Sequence, residues 1–419
     1  MNIGFACLCV GVPDTNLKTC MQANATKEKL HELIAHNLIS LENIIDYNIQ
    51  NDIKLFRISS DIIPFGSSPI NSLDWLREYS SILSAIGEKI RSNGIRVSMH
   101  PGQYTVLNSP NQDVVRRAVD DLKYHTNFLD SLGVSAKNKI ILHIGGMYGD
   151  KDLAVKRFVR NYLKLDESIK ERLVIENDDK CYHIGDVLNI AGILNMPAVY
   201  DNLHNILNPF DDTKNDVCWI RKCKKTWATK DGSQKIHYSQ QDHMRKAGSH
   251  SDSINAAQFI DFYQGLGRED IDIMFEVKDK NLSAVKCINC IYPEKKIRKL
   301  ESEWSKYKYT VLEKSKSDYD DVRQILKDKS NYPVLKFYQI VEKALKTEQT
   351  TGSAVNAALH VWGYFKDIAQ GQEKKRFFDL MNAYQAGAVS LERVKRYLYK
   401  LSQKYNQEYL LNSYYFVLS

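Results

Sequence analysis

The chain has 419 residues, of which 43% are hydrophobic, 26% charged and 10% aromatic, a globular composition that excludes disordered, collagenous and coiled-coil proteins. No apolar run approaches the roughly 18 residues needed to cross a bilayer, which excludes a membrane-spanning protein. The net charge of +7 is held unevenly: residues 291–419 carry 23 Lys+Arg against 15 Asp+Glu, a net of +8, while residues 1–290 stand at −1.

The chain opens on an apolar run, Ile3–Val10, with no basic segment ahead of it and no evident cleavage site, so it reads as a first strand and the expected location is cytoplasmic. Seven more apolar runs follow, at Ile53–Ser59, Ile95–His100, Lys139–Ile144, Arg172–Glu176, Pro197–Asp201, Gln234–Ser239 and Ile271–Val277. Between most of them apolar residues recur at helical spacing, as in Leu30, Leu33, Ile34, Leu38, Leu41 and Ile44, then Ile82, Ile86 and Ile90, then Val114, Val115, Ala118 and Leu122. This alternation predicts a parallel sheet covered by helices, and eight repeats predict a closed (β/α)8 TIM barrel over residues 1–290. No glycine-rich phosphate loop follows the first strand, which argues against a dinucleotide fold and a nucleotide cofactor. Residues 291–419 lose the strand alternation and keep helical periodicity, predicting a smaller all-α domain with a basic surface. Its aromatics, among them Tyr307, Tyr309, Phe377, Phe378, Tyr414, Tyr415 and Phe416, read as core; its charge reads as solvated helix faces first and as a polyanion footprint second.

In a TIM barrel, function collects where the strands end. The third run ends in His100, the fourth near His143, the fifth in Glu176 and the sixth in Asp201, with His204 three residues on; the seventh carries Lys235 and His237, the eighth ends near Glu276, and His250 lies in the loop after the seventh. One such residue is most often a satisfied polar group. Five imidazoles and three carboxylates at one mouth would repel or stay unsatisfied without cations between them. That donor set, with no thiolate, suits Mn, Zn, Fe or Mg. Eight ligands exceed what one ion with open positions needs, so a divalent metal cluster of two or three ions is expected, an arrangement common in phosphate ester cleavage. Lys235 shares a strand face with His237. An ammonium beside metal ions is costly, so Lys235 either faces away or is chemically altered to an anionic, carboxylated form.

The segments Met-His-Pro-Gly-Gln-Tyr (99–104), Leu-His-Ile-Gly-Gly (142–146), Ile-Glu-Asn-Asp (175–178), Asp-Asn-Leu-His-Asn (201–205) and Lys-Ile-His-Tyr-Ser (235–239), with Phe-Arg-Ile-Ser-Ser-Asp at 56–61, resemble in order and spacing the UV damage endonucleases over residues 1–280. The resemblance implies an ATP-independent enzyme acting on damaged double-stranded DNA. It would nick immediately 5′ to cyclobutane dimers, 6-4 photoproducts and abasic sites, leaving a 3′-hydroxyl and a 5′-phosphate. It also implies a manganese-containing cluster held by His100, His143, Glu176, Asp201, His204, His237, His250 and Glu276, with Lys235 carboxylated; Lys235, Glu176 and Glu276 are expected to serve catalysis directly. Gln103 and Tyr104 are implied to wedge into the duplex at the lesion, where a damaged pair unstacks most cheaply. The segment from Trp304-Ser-Lys-Tyr-Lys-Tyr to Leu411-Asn-Ser-Tyr-Tyr-Phe resembles the YbgA-type helical domain, which supplies no activity.

Arg57 is a candidate phosphate partner or one half of a structural ion pair. Lys222, Lys224 and Lys225 form a basic cluster between the sixth and seventh strands, suited to DNA backbone contacts or to a solvated loop. The Cys287–Cys290 pair, with Cys218 and Cys223 placed in the loop before strand seven, reads as ordinary thiols before it reads as a structural metal site. Two other function classes fit parts of the pattern: a metal-dependent sugar isomerase or epimerase of the xylose-isomerase-like barrels, and an idle barrel that serves as a scaffold for the tail.

Overall fold

The computed structural model describes residues 1–267, 270–292 and 296–418. The expected barrel is present. Its strands are β1 (Asn2–Ala6), β2 (Leu55–Ile58), β3 (Arg96–Met99), β4 (Ile140–His143), β5 (Leu173–Glu176), β6 (Ala198–Asp201), β7 (Gln234–Tyr238) and β8 (Ile271–Phe275), and each falls within an expected run or overlaps it by all but its first residue. All pair in parallel in chain order, and β8 closes on β1 with Asn2 opposite Asp272 and Phe5 opposite Phe275. The first run is shorter as a strand than its hydrophobicity implies. Cys7 takes φ 71°, a left-handed conformation that turns the chain out of the ladder, and its N–H donates to Arg57 O at 2.8 Å.

Helices cover the outside because their apolar stripes match it. The helix Lys27–Gln50 starts at Thr26, whose side chain accepts from Lys29 N, and buries Leu30, Leu33, Ile34, Leu38, Leu41 and Ile44. The helix Gln112–Ser131 buries Val115, Ala118, Leu122, Phe128 and Leu129 in the same way.

Inside the barrel, the period of two along each strand stacks the side chains in layers. Ala6, Leu55 and Met274 form one apolar cluster, and Ile141, Val174 and Val199 pack with Trp227 in another. Two residues towards the strand ends from this middle layer stand Arg57, His143, Glu176, Asp201 and Glu276. Two residues back from it stand Lys139 and Asp272, beside Arg96 of β3. At this base Arg96 meets Asp272 at 2.8 Å and Lys139 meets Asp231 at 2.6 Å. Asn2 donates to Asp272 Oδ1 at 2.9 Å, and Arg96 lies 5.6 Å from the centre of the Trp227 ring.

The chain divides into two compact units, one comprising Met1–Cys9, Pro13–Ile254 and Asp261–Ile288, the other Val10–Val12, Asn255–Ile260 and Asn289–Ser419. The second is helical, with helices at Ile297–Lys314, Lys316–Ile325, Val334–Lys346, Thr351–Trp362, Gly371–Gln385 and Leu391–Lys404 among its described residues. Its core includes Tyr309, Leu312, Ala358, Val361, Phe365, Leu398 and Tyr415, with Trp362 stacked on Phe377 at 4.2 Å. Of the aromatics expected in that core, Phe378 is exposed.

Candidate metal centre

The strand ends bring all eight expected ligand residues into one connected cluster. Glu176, the last residue of β5 and fully buried, is its hub. Its Oε2 lies 3.1 Å from His100 Nε2 and 3.8 Å from His143 Nε2; its Oε1 lies 2.7 Å from His237 Nδ1 and 3.8 Å from His204 Nδ1. Asp201 Oδ1 is 3.8 Å from His204 Nδ1, while Glu276 is 3.3 Å from His237 and 3.9 Å from His250. Two subsets bring their ligand atoms within 4.8 Å of one another, His100 with His143 and Glu176, and Glu176 with Asp201 and His237. Each could hold a metal ion, and they share Glu176.

The donor chemistry fits a cation on independent grounds. His100 Nδ1 faces the carbonyl of Pro101 at 3.1 Å and His204 Nδ1 faces that of Asn177 at 2.9 Å. A carbonyl only accepts, so both Nδ1 atoms donate, and in the neutral ring that binds a cation each Nε2 keeps a lone pair, the arrangement usual for ligating histidines. His100 Nε2 then presents a lone pair to a carboxylate oxygen, which is repulsive unless a proton or cation stands between them. His143 Nδ1, His237 Nε2 and Asp201 Oδ2 are buried without a hydrogen-bond partner. Such orphaned donors and acceptors are rare unless something else satisfies them.

The electrostatics show how crowded the mouth is. Burial pushes His143 down to about 4, against the pull of Glu176, so it stays neutral. Burial also opposes the charge on His204, but Asp201, Glu176 and Glu276 together outweigh it and raise that ring to about 9. Burial pushes Asp201 above the usual carboxylate range. Glu176 and Glu276 go the other way despite burial, held low by His237 and His100 for the first and by Arg57 and His237 for the second.

Lys235 is fully buried on the interior face it shares with His237, and its Nζ has no hydrogen-bond partner. Burial first, and the positive charges of Arg96 and Arg57 besides, push its ammonium well below the usual range; Asp272 opposes this. Of the alternatives for this residue, facing away is the one the structure overturns. Arg57 is half of an ion pair, with its Nη1 2.5 Å from Glu276 Oε1, and so orients a carboxylate of the mouth.

Gln103 and Tyr104 lie in the loop after β3, both exposed, Tyr104 to 75%. The loop is anchored at its end, where Thr105 Oγ1 donates to Asp121 Oδ2 at 2.6 Å and Thr105 N to Gly102 O at 2.9 Å. A Cβ at Gly102 would fall 2.7 Å from the Tyr104 ring, so only glycine lets that ring fold over the turn. The basic cluster at 222–225 is elsewhere. Lys222 and Lys224 belong to the helix Asp216–Lys224, which Lys225 caps, and Lys224 pairs at 3.3 Å with Asp270, the residue before β8. The cluster lies between the sixth and seventh strands as expected, but on a helix that runs back from the mouth rather than in a loop. Cys218 and Cys223 lie on that same helix rather than in a loop, started by Asn215 accepting from Cys218 N at 3.1 Å. Cys287 is buried and Cys290 half-buried on the helix Asn281–Ile291; among the described residues no group able to hold a metal includes a cysteine.

Several supporting residues were not foreseen. Asn177 clamps β6: its side chain donates to Asp201 O at 3.0 Å and accepts from Asp201 N at 2.9 Å, while its carbonyl orients His204. Ser60 Oγ donates to His100 O at 2.8 Å, and His125, fully buried, bridges Ser60 Oγ at 2.9 Å and Asp121 O at 2.7 Å. Asp121 in turn holds Thr105, so one network ties His100 to the Gln103–Tyr104 loop. Asn177 and Ser60 both sit inside the quoted motifs, Asn177 beside Glu176 and Ser60 three residues after Arg57; His125 had no signal beyond one imidazole on an apolar helix face.

Comparison with known proteins agrees with this geometry. A family model described as UV-endonuclease UvdE matches residues 1–308, and one described as a protein of unknown function, DUF1722, matches residues 308–418. A UV DNA damage endonuclease from Clostridium perfringens is 40% identical over 409 residues, covering 96% of each chain. One from Bacillus cereus strain B4264 is 31% identical over 266 residues, 63% of this chain and 83% of that one. The crystal structure of SacUVDE matches with a TM-score of 0.66 at 36% identity, covering 70% of this chain and 98% of that one. With one family model over most of its length and a relative aligned almost end to end, the chain belongs to the UV-endonuclease UvdE family.

Proposed function

We propose that the chain nicks duplex DNA immediately 5′ to UV photoproducts, cyclobutane dimers and 6-4 photoproducts, and at abasic sites, without ATP. The observation that carries this reading is the shared carboxylate: in a UV endonuclease barrel, Glu176 joins two donor sets each able to hold a cation. The residues proposed to hold two or three divalent ions, manganese foremost, are His100, His143, Glu176, Asp201, His204, His237, His250 and Glu276. Such ions would lower the pKa of a water and neutralise charge on the phosphate. The net reaction adds water across the P–O3′ bond, the oxygen going to phosphorus and a proton to O3′, which leaves a 3′-hydroxyl and a 5′-phosphate.

The protein's own part is to orient and to exclude. Arg57 fixes Glu276, Asn177 fixes Asp201 and His204, and the Pro101 carbonyl fixes His100. Lys235 is proposed to be carboxylated: its neutral Nζ forms a bond to the carbon of CO2 and releases a proton. The product is an anion where an unpartnered ammonium would be costly. Gln103 and Tyr104, exposed on a tethered loop, are proposed to enter the duplex beside the lesion, where unstacking is cheapest.

The test is incision of a duplex carrying one thymine dimer, with Mn2+ and with chelator. A single nick 5′ to the dimer, abolished by chelator, is expected; no nick, together with turnover of a ketose, would move the chain to the sugar isomerases. Gln103→Ala with Tyr104→Ala is expected to lower the preference for the dimer over undamaged duplex on the order of tenfold, the worth of one base–aromatic stack. Incision with unchanged preference would remove the wedge.

A further inference from the structure

Four cations line one groove of the helical unit with no carboxylate among them. Arg376, Arg393, Arg396 and Lys400 surround Tyr397 in a groove of about 270 Å³ between the helices Gly371–Gln385 and Leu391–Lys404. The four charged side chains are exposed, while Val394, Leu398 and Leu401 beneath them are buried and fix the helix that carries three of them. Arg396 is paired with Glu392 at 2.6 Å; among the described residues Arg376, Arg393 and Lys400 have no ion pair. On the other helix, Glu373 is already engaged by Lys404 at 2.7 Å and the Tyr405 hydroxyl at 2.6 Å. Tyr397 is held by its hydroxyl on Glu373 O at 3.1 Å, with the Arg376 guanidinium 5.5 Å from its ring centre.

We infer that this groove binds the phosphate backbone of duplex DNA, without regard to sequence or damage. Arg393, Arg396 and Lys400 are spaced three and four residues apart, so they share one face, and seven residues of helix span about 10 Å. One strand of B-DNA carries a charge about every 3.4 Å of axis but winds around that axis, so a straight face of this length meets about two phosphates. Three of the four cations are guanidinium groups, whose planar fork matches phosphate oxygens in pairs. The inference rests on the proposed DNA substrate, which selects a nucleic acid over an acidic polypeptide as the polyanion.

The experiment measures affinity of the full-length chain for an undamaged duplex across a salt series, by fluorescence anisotropy. Arg393→Gln with Lys400→Gln should weaken binding on the order of tenfold or more and reduce the slope of log K against log[salt] by about 1.8, with an unchanged thermal midpoint. Arg393→Lys, which keeps the charge, should retain the slope. Unchanged affinity and slope in the double variant would overturn the inference. So would equal loss in Arg393→Lys, or displacement of the DNA by poly-glutamate of equal charge as readily as by a second duplex. Incision of the dimer duplex by the unaltered chain is scored separately. If that fails while the groove variant still loses slope, the endonuclease reading falls and the groove stands.

Discussion

The two ends of the barrel treat buried charge in opposite ways. At the base, Arg96, Asp272, Lys139, Asp231 and Asn2 close on one another, and none of their polar atoms is left over. At the mouth, His143, His237 and Asp201 keep buried atoms without partners; Lys235, opposite Asp272 in the β7–β8 ladder, keeps one nearer the base. Both ends are built from the same strands by the same alternation, so backbone does not account for the difference. A closed ion network contributes to holding a fold together; an open one stores binding capacity and costs stability until something enters it.

This contrast predicts that mutations at the two ends separate chemistry from stability. The largest effect is expected at the hub, where Glu176→Ala removes the residue common to both donor sets. Incision should fall on the order of 10³-fold or more, and metal per folded chain should drop, as elemental analysis would show. At the base, Arg96→Ala leaves Asp272 buried and unpaired and should cost about 3–5 kcal/mol in denaturant unfolding, with metal per folded chain unchanged. Loss of metal without loss of stability in that variant would erase the distinction between the ends. Asn177→Ala leaves the donor set intact but unclamped, so metal affinity by titration should weaken about 10–100-fold. The smallest effect has the most telling sign. Asp201→Asn keeps an oxygen able to accept from His204 N, as Oδ1 does at 2.7 Å, and removes the charge from a buried carboxylate whose Oδ2 has no partner. It should therefore stabilise the metal-stripped protein by about 1 kcal/mol while weakening metal binding. Destabilisation of the stripped form would show that Asp201 is satisfied without a cation.

What could be read from the sequence follows the range of the physics involved. The barrel and most of the imidazoles and carboxylates of the mouth were legible because they lie on or beside a strand end, where a local period of two decides which way a side chain points. Lys235 and His237 are the clearest case. The extent of β1 was not legible, since hydrophobicity continues to Val10 while the left-handed turn at Cys7 depends on a bond to Arg57 of the neighbouring strand. Arg57 itself could be narrowed only to two roles until β2 and β8 were set on either side of β1. The cluster at 222–225 lies between the sixth and seventh strands as read, but on a helix capped by Asn215 rather than in a loop. The brace through Ser60, His125 and Asp121 joins three separate segments by single hydrogen bonds, and no spacing rule in one segment announces it.

The central claim is that the partnerless atoms of the mouth are completed by cations. Anomalous diffraction at the manganese edge, from crystals of the chain prepared with Mn2+, tests it most directly. The account predicts at least two peaks, one among His100, His143 and Glu176 and one among Glu176, Asp201 and His237. A map without peaks there, from protein that still nicks a dimer-containing duplex, would contradict it.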